Sequence, residues 1–136
     1  MSDRSYHRPE TQGIRHVTYN FSIKWVAGSP VFQEGDAAGL IAGSYLTMVD
    51  TGVGNALITT NDPFAGVVSI TGSRQMATPT GDAMLTFGLP TQLTNGRWQF
   101  SVRTWTNAAG TISAADPPAG DFVSVTLVLR NSAVKP

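Results

Sequence analysis

The stretch of residues 121–130 has the most strand-like pattern of hydrophobic and polar positions in the chain. Side chains on an extended strand alternate between its two faces. One face would carry Val123, Val125, Leu127 and Leu129. The other would carry Phe122, Ser124, Thr126, Val128 and Arg130. Apolar residues on both faces predict a central strand. Because this stretch lies near the end of the chain, it would insert between two strands that come earlier in the sequence, as in Greek-key and jelly-roll topologies.

A long amphipathic strand is predicted from position 15 onward, because apolar and polar residues alternate strictly there. Its apolar face would carry Val17, Tyr19, Phe21, Ile23 and Trp25. Its polar face would carry His16, Thr18, Asn20, Ser22 and Lys24. Gly28 and Pro30 predict the end of this strand, since glycine frees the backbone and proline cannot donate to a ladder. We expect this strand to pair with residues 121–130.

A second long strand is predicted at residues 97–106, directly after an Asn-Gly turn signal at positions 95 and 96. Its buried face would carry Trp98, Phe100 and Val102. Its other face would carry Arg97, Gln99, Ser101, Arg103 and Trp105. Tryptophan beside arginine on a sheet surface is typical of interface hot spots and of sugar platforms. Arg97, Arg103 and Trp105 are therefore candidate partner-binding residues, and the alternative is that a loop covers Trp105.

Four shorter strands are predicted at residues 45–49, 56–60, 67–71 and 83–87, and the first two would form a hairpin. Residues 35–39 and 111–120 have the composition of loops. No segment has a helical stripe of useful length. Seven to nine short strands predict an all-β fold, an antiparallel β-sandwich, and both jelly-roll and Ig-like strand orders remain open.

Residues 1–13 have almost no apolar bulk, which predicts an extended N-terminal arm ahead of a single β-sandwich domain at residues 14–136. Arg4, Tyr6 and Arg8 are candidate partner-binding residues, because an aromatic between two arginines makes a good anchor. An extended arm of this length would reach about 40 Å. The alternative is a floppy terminus.

The charges balance, with nine Lys and Arg against nine Asp and Glu. No global charge attracts nucleic acid or an anionic membrane, so neither is an expected partner. Only 13% of the residues are charged, against about 25% in typical soluble domains. A surface so poor in charge is either rich in Ser, Thr, Asn and Gly or hidden in an assembly. The two ends of the chain are basic and the middle is acidic, which would suit a head-to-tail contact between copies.

The sequence contains none of the common motifs for catalysis, phosphate binding or metal binding. There is no cysteine, which excludes disulfides, thiolate zinc sites and cysteine nucleophiles. There is no phosphate-binding loop, nucleophile elbow or EF-hand spacing. We therefore expect no catalysis, no cofactor and no metal. The polar N-terminus lacks the apolar core of a signal peptide, so we expect synthesis in the cytoplasm.

Two segments carry a family resemblance. Residues 52–64, read GVGNALITTNDPF, resemble a "glycine, small, glycine, strand, Asp-Pro-Phe" segment of small virion proteins of tailed bacteriophages. Residues 98–109, followed by DPPAGD at 116–121, a Val/Leu strand and Arg-Asn-Ser at 130–132, resemble the ending of the same group. The likeness covers roughly residues 50–132.

The resemblance implies a jelly-roll or C1q-like module that assembles as a homotrimer. It further implies a structural role in the virion, as a capsid decoration (cement) protein that binds the major capsid protein or another virion protein. The alternative functions are a receptor- or glycan-binding module of a phage fibre or spike, with Trp105 as its platform, and a small β-sandwich enzyme.

Overall fold

The computed structural model describes residues 16–33, 45–79 and 81–130, and within these ranges it contains ten β-strands and no helix. The strands are β1 His16–Val26, β2 Ser29–Phe32, β3 Leu46–Gly52, β4 Asn55–Thr60, β5 Gly66–Gln75, β6 Ala83–Phe87, β7 Thr91–Gln92, β8 Trp98–Ala108, β9 Thr111–Ala114 and β10 Phe122–Arg130. They form two antiparallel sheets that pack face to face, so the predicted β-sandwich is confirmed.

The four-stranded sheet has the order β2-β1-β10-β5, which makes β10 a central strand as its two-faced pattern predicts. One side of β10 pairs with β1, from position 16 opposite 130 to position 23 opposite 123. The other side pairs with β5. The predicted pairing of the two strands is confirmed. Neither partner of β10 is its neighbour in sequence, so the chain crosses between sheets as it does in Greek-key folds.

The six-stranded sheet follows the order β3-β4-β8-β6, with β7 and β9 pairing with parts of β8. The predicted hairpin of residues 45–60 is confirmed as β3 and β4. The core fills the space between the sheets, where alternate residues of facing strands interdigitate. Its buried apolar side chains are Phe21, Ile23, Trp25, Leu46, Ala56, Ile58, Phe64, Phe100, Val102, Val123, Val125, Leu127 and Leu129.

Three strands are absent from the prediction, which explains why ten are found where seven to nine are expected. They are β2, β7 and β9, of four, two and four residues. The prediction of a loop throughout residues 111–120 is wrong at β9. Pro30 lies in β2 at the sheet edge, the position that tolerates proline. Ala27 and Gly28 both have positive φ, at 51° and 84°, and form the tight turn between β1 and β2.

Gly54 joins the β3–β4 hairpin to the segment that precedes β10. Its φ is +64°, and a Cβ there would lie 2.6 Å from the Thr104 carbonyl oxygen and 2.8 Å from that of Ala115. Only glycine fits such a close approach. The Gly54 amide donates to Asp116 Oδ1 at 2.6 Å. The hairpin is therefore held against the loop that leads into β10.

The predicted arm at residues 1–13 and the predicted loop at residues 35–39 lie outside the described residues. The division into an arm and a domain at residues 14–136 therefore stays a prediction. Among the residues that the structure does describe, no helix has the length and apolar character needed to cross a membrane.

Candidate functional site

The outer face of β8 carries two of the predicted partner-binding residues, Arg103 and Trp105. Phe100 and Val102 of the same strand are buried in the core. Because side chains alternate along a strand, Arg103 and Trp105 lie on the side away from the core. The residue pattern predicts this placement.

Trp105 occupies the middle of a row across the sheet. It pairs with Met84 of β6 on one side and with Ala114 of β9 on the other. Residues directly opposed in an antiparallel ladder share a face, and so does Ile112, two positions from Ala114. We call Met84, Arg103, Trp105, Ile112 and Ala114 the Trp105 face.

The indole of Trp105 is half-buried and anchored at its polar end. Its Nε1 donates to Thr86 Oγ1 at 2.8 Å. Met84 and Ile112, beside it, remain 37% and 54% exposed. A fixed aromatic ring bordered by exposed apolar side chains is the geometry of a protein-binding patch more than of an open platform.

The two arginines of β8 and its approach occupy different places. Arg103 is exposed on the Trp105 face, with Asn55 and Thr86 opposite it on the adjoining strands. Arg97 is exposed just before β8 begins, about 27 Å along an extended chain from Trp105. The structure therefore brings Arg103 beside Trp105 and leaves Arg97 at the far end of the strand.

The three candidates in the predicted arm, Arg4, Tyr6 and Arg8, lie outside the described residues. Their proposed role in partner binding stays a prediction.

A buried ion pair closes one end of the sandwich. Arg74 of β5 and Asp121 have side chains 9% and 4% exposed, with Nη2 and Oδ2 3.9 Å apart. Arg74 Nη1 also donates to the Trp105 carbonyl oxygen at 3.3 Å, and the Ala77 amide donates to Asp121 Oδ1 at 2.9 Å. The pair therefore links β5 to the strand that carries the Trp105 face.

Sequence reasoning misses this pair for a local reason. The predicted strand of residues 67–71 ends before Arg74, and Asp121 opens the predicted strand of residues 121–130, so nothing in the local pattern joins the two. The available signal is the alternation at positions 70, 72 and 74, which continues the inner face of β5 as far as Arg74.

Asp50 and Asp116 each bind a backbone amide, as Asp residues at turns commonly do. Asp50 Oδ1 accepts from the Gly52 amide at 3.0 Å, and Asp116 accepts from Gly54. Within residues 16–33, 45–79 and 81–130, no group of three or more His, Cys, Asp or Glu side chains is arranged to hold a metal ion.

Tyr19 lies at the other end of the sandwich, opposite the ion pair. Its ring centroid is 5.7 Å from that of Tyr45 and 6.2 Å from that of Phe64. Burial raises the pKa of the Tyr19 hydroxyl above its ordinary value of 10.0, and the charges of Asp62 and Tyr45 raise it further. The neutral phenol is therefore the favoured form in the fold.

Comparison of the chain with protein-family models, with curated proteins and with solved structures finds no match. A functional proposal for this chain therefore depends on its residues and their geometry.

Proposed function

We propose that this protein is a non-enzymatic structural component of a bacteriophage particle, a capsid decoration protein. It would bind the major capsid protein, or another virion protein, through its N-terminal arm and the exposed Trp105 face near the sheet edge. The observation that carries the proposal is this face, because it offers a partner an anchored aromatic ring with exposed apolar neighbours.

The energetics of the Trp105 face favour association with a protein. Burying apolar surface contributes about 25 cal/mol per Å². Tryptophan and arginine are the residues most enriched at interface hot spots, and Trp105 and Arg103 lie two positions apart on one face. The indole is already held by Thr86, so little side-chain entropy is lost when a partner covers it.

The rest of the chain suits a cement role. A rigid sandwich provides the body, and the predicted arm with Arg4, Tyr6 and Arg8 provides a segment that would order on a neighbouring subunit. We propose that the protein acts as a homotrimer in the virion. Light scattering of the purified protein tests this point. A molar mass equal to that of a single chain, at the protein concentrations at which capsids are bound, would contradict it.

The arm is tested by deletion. We expect a chain without residues 2–13 to fold, with an unchanged circular-dichroism spectrum and melting temperature, and to lose co-sedimentation with capsids of the encoding phage. A matched control replaces residues 2–13 by Gly and Ser at the same length. Undiminished capsid binding by the deleted chain would remove the arm from the proposal.

The second candidate function is a receptor- or glycan-binding module of a phage fibre or spike. Its supporting observation is the Trp105 ring itself, which is partly exposed on a sheet surface. Glycan binding through this platform would be lost in Trp105→Ala. Glycan or cell binding that survives this substitution would contradict the platform.

A further inference from the structure

Three aromatic rings meet at the end of the sandwich opposite the Arg74–Asp121 ion pair. The Tyr19 ring centroid is 5.7 Å from that of Tyr45, with the ring planes tilted by 33°. It is 6.2 Å from that of Phe64, which it meets edge to face at 79°. Both distances lie in the range of about 4.5–7 Å at which aromatic rings pack together. Two tyrosine rings are therefore in contact in the folded chain.

The two tyrosines differ in how much of each residue is open to solvent. Tyr45 is 43% exposed, so an oxidant in solution can reach it directly. Tyr19 is only partly exposed, and Phe64 beside it is buried at 7% exposure. An oxidant therefore meets Tyr45 first, and Tyr19 is reached through its contact with Tyr45.

The tyrosine pair bridges the two sheets. Tyr19 belongs to β1, where it pairs with Leu127 of β10 in the four-stranded sheet. Tyr45 directly precedes β3 of the six-stranded sheet, and its carbonyl oxygen accepts from the Asn61 amide at 2.9 Å, across the β3–β4 hairpin. A covalent bond between the rings would join the sheets, a link that no disulfide can make in a chain without cysteine.

Two phenols in contact have a reaction that a single phenol lacks. A phenol that loses one electron and one proton becomes a tyrosyl radical. Two such radicals couple through the ring carbons next to their hydroxyl groups and give dityrosine. Coupling is favoured when the two rings are already held together, because the radicals do not have to find each other by diffusion.

We propose that Tyr19 and Tyr45 form an oxidative crosslinking site, at which a peroxide-driven peroxidase joins the two sheets through a dityrosine bond. Each phenol gives up one electron and one proton. A carbon–carbon bond forms between one Cε atom of each ring, and the hydrogen on each of these carbons moves to the phenolic oxygen and restores the hydroxyl. Hydrogen peroxide takes up the two electrons and two protons, its O–O bond breaks, and two water molecules form.

The sequence supplies a direct readout, because trypsin separates the three tyrosines of the chain. Cleavage after Arg and Lys, except at the bond before Pro9, leaves one tyrosine in each of three peptides. They are residues 5–15 with Tyr6, 16–24 with Tyr19 and 25–74 with Tyr45. The dilute full-length protein would be treated with a haem peroxidase and hydrogen peroxide. Dityrosine fluorescence and mass spectrometry of the tryptic peptides would then identify the linked pair.

We expect the peptide of residues 16–24 to become linked to that of residues 25–74 within one chain. Loop closure alone would favour Tyr6 with Tyr19, which are closer in the sequence, so the expected link reports the fold. Its yield should exceed that of all links containing residues 5–15 about tenfold. Dityrosine that is absent, that lies mainly in links to residues 5–15, or that forms mainly in covalent dimers would overturn the proposal.

Phenylalanine variants test the site without removing its rings. Tyr19→Phe and Tyr45→Phe each keep the ring and remove the phenol, and each should abolish intramolecular dityrosine in the monomeric chain. Tyr6→Phe is the matched control and should leave the yield of the link between residues 16–24 and 25–74 unchanged. Intramolecular dityrosine that persists in Tyr45→Phe, or that is lost in Tyr6→Phe, would overturn the proposal.

The crosslink would also stabilise the fold. It closes a loop of about 26 residues in the unfolded chain, and we expect the melting temperature of the crosslinked chain to rise by about 10 °C. Tyr45→Phe treated in the same way is the control for other oxidation, and its melting temperature should not rise. An unchanged melting temperature in the crosslinked chain would overturn the proposed link between the sheets.

This site is separate from the Trp105 face and does not depend on the role of that face in capsid binding. Capsid binding by Tyr45→Phe should therefore be unchanged, which distinguishes failure of this proposal from failure of the decoration role.

Discussion

The outer faces of the two sheets are built by the same alternation but carry different chemistry. On the four-stranded sheet, the rows across β1, β10 and β5 are dominated by hydroxyl and amide side chains. These rows are Thr18–Val128–Ser69, Asn20–Thr126–Thr71 and Ser22–Ser124–Ser73. On the six-stranded sheet, the corresponding surface includes the Trp105 face, with Met84 and Ile112 exposed.

The difference shows which face has free energy to gain from a partner. On the four-stranded sheet, Thr126 Oγ1 donates to Asn20 Oδ1 at 2.8 Å and Gln75 Nε2 donates to Ser73 Oγ at 2.9 Å. These polar groups satisfy one another, and covering them adds little. On the Trp105 face, the exposed side chains of Met84 and Ile112 are apolar and gain from leaving water.

The largest expected effect comes from placing a charge on each face in turn. Ile112→Asp puts a carboxylate among the exposed apolar side chains of the Trp105 face, and we expect capsid affinity to fall about 100-fold. Thr71→Asp is the matched change on the other face, and we expect capsid affinity within about threefold of the unmodified protein. Both sites are exposed, so both variants should fold. If Ile112→Asp and Thr71→Asp lowered capsid affinity equally in co-sedimentation, the Trp105 face would not be the one that binds the capsid.

The next effect tests the interior that the two sheets share. A Cβ added at Gly72 of β5 would lie 2.5 Å from the Ser124 carbonyl oxygen and 2.8 Å from the Phe87 ring of the opposite sheet. We expect Gly72→Ala to lower the free energy of unfolding by about 2 kcal/mol, measured by urea denaturation.

Gly81 provides the control for this substitution, since a Cβ there meets nothing within 4 Å. Gly81→Ala should leave the urea midpoint nearly unchanged. An equal loss of unfolding free energy in both variants would show that the contact between an added Cβ at position 72 and Phe87 is not what destabilises Gly72→Ala.

A smaller effect measures the polar network of the four-stranded sheet. Thr126→Val removes the hydrogen bond to Asn20 and keeps the shape of the side chain. We expect a loss of about 0.5–1 kcal/mol in the free energy of unfolding, because the bond lies on the surface. A double-mutant cycle with Asn20→Ala isolates the coupling. A coupling free energy of zero between positions 20 and 126 would mean that these side chains bind water rather than each other.

The smallest effect is a pH dependence at Tyr19. Its pKa is raised in the fold, so above the unfolded value of about 10 the unfolded chain releases this proton and the folded chain retains it. Stability should therefore fall as pH rises above about 10. Tyr19→Phe should flatten that part of the curve of melting temperature against pH. An unchanged slope in this variant would assign the alkaline loss to other groups.

The long strands are predictable from sequence because one face of each is buried. β1, β8 and β10 alternate over nine or eleven residues, and a shift of one residue would reverse every side chain. β2 and β9 have only four residues each, and β9 has no buried side chain to create a pattern. Tertiary pairing with β1 and β8 forms these strands, and local sequence does not reveal it.

The same reasoning applies to the sites. The outward positions of Arg103 and Trp105 follow from period-two alternation on β8, but their neighbours Met84 and Ile112 follow from pairing across strands. The ion pair of Arg74 and Asp121 joins residues on separate elements, and only the fold brings them together.

The central place of β10 also determines how the chain reaches its native state. Asn20 and Thr126, which bond across β1 and β10, are 106 positions apart. Closing such a loop costs entropy before the contact is gained, and folds dominated by distant strand pairs form in about milliseconds to seconds. Until β10 docks, β1 and β5 each present an open edge on which a second copy can pair. Refolding yield should therefore fall as protein concentration rises, with intermolecular strand exchange as the competing route.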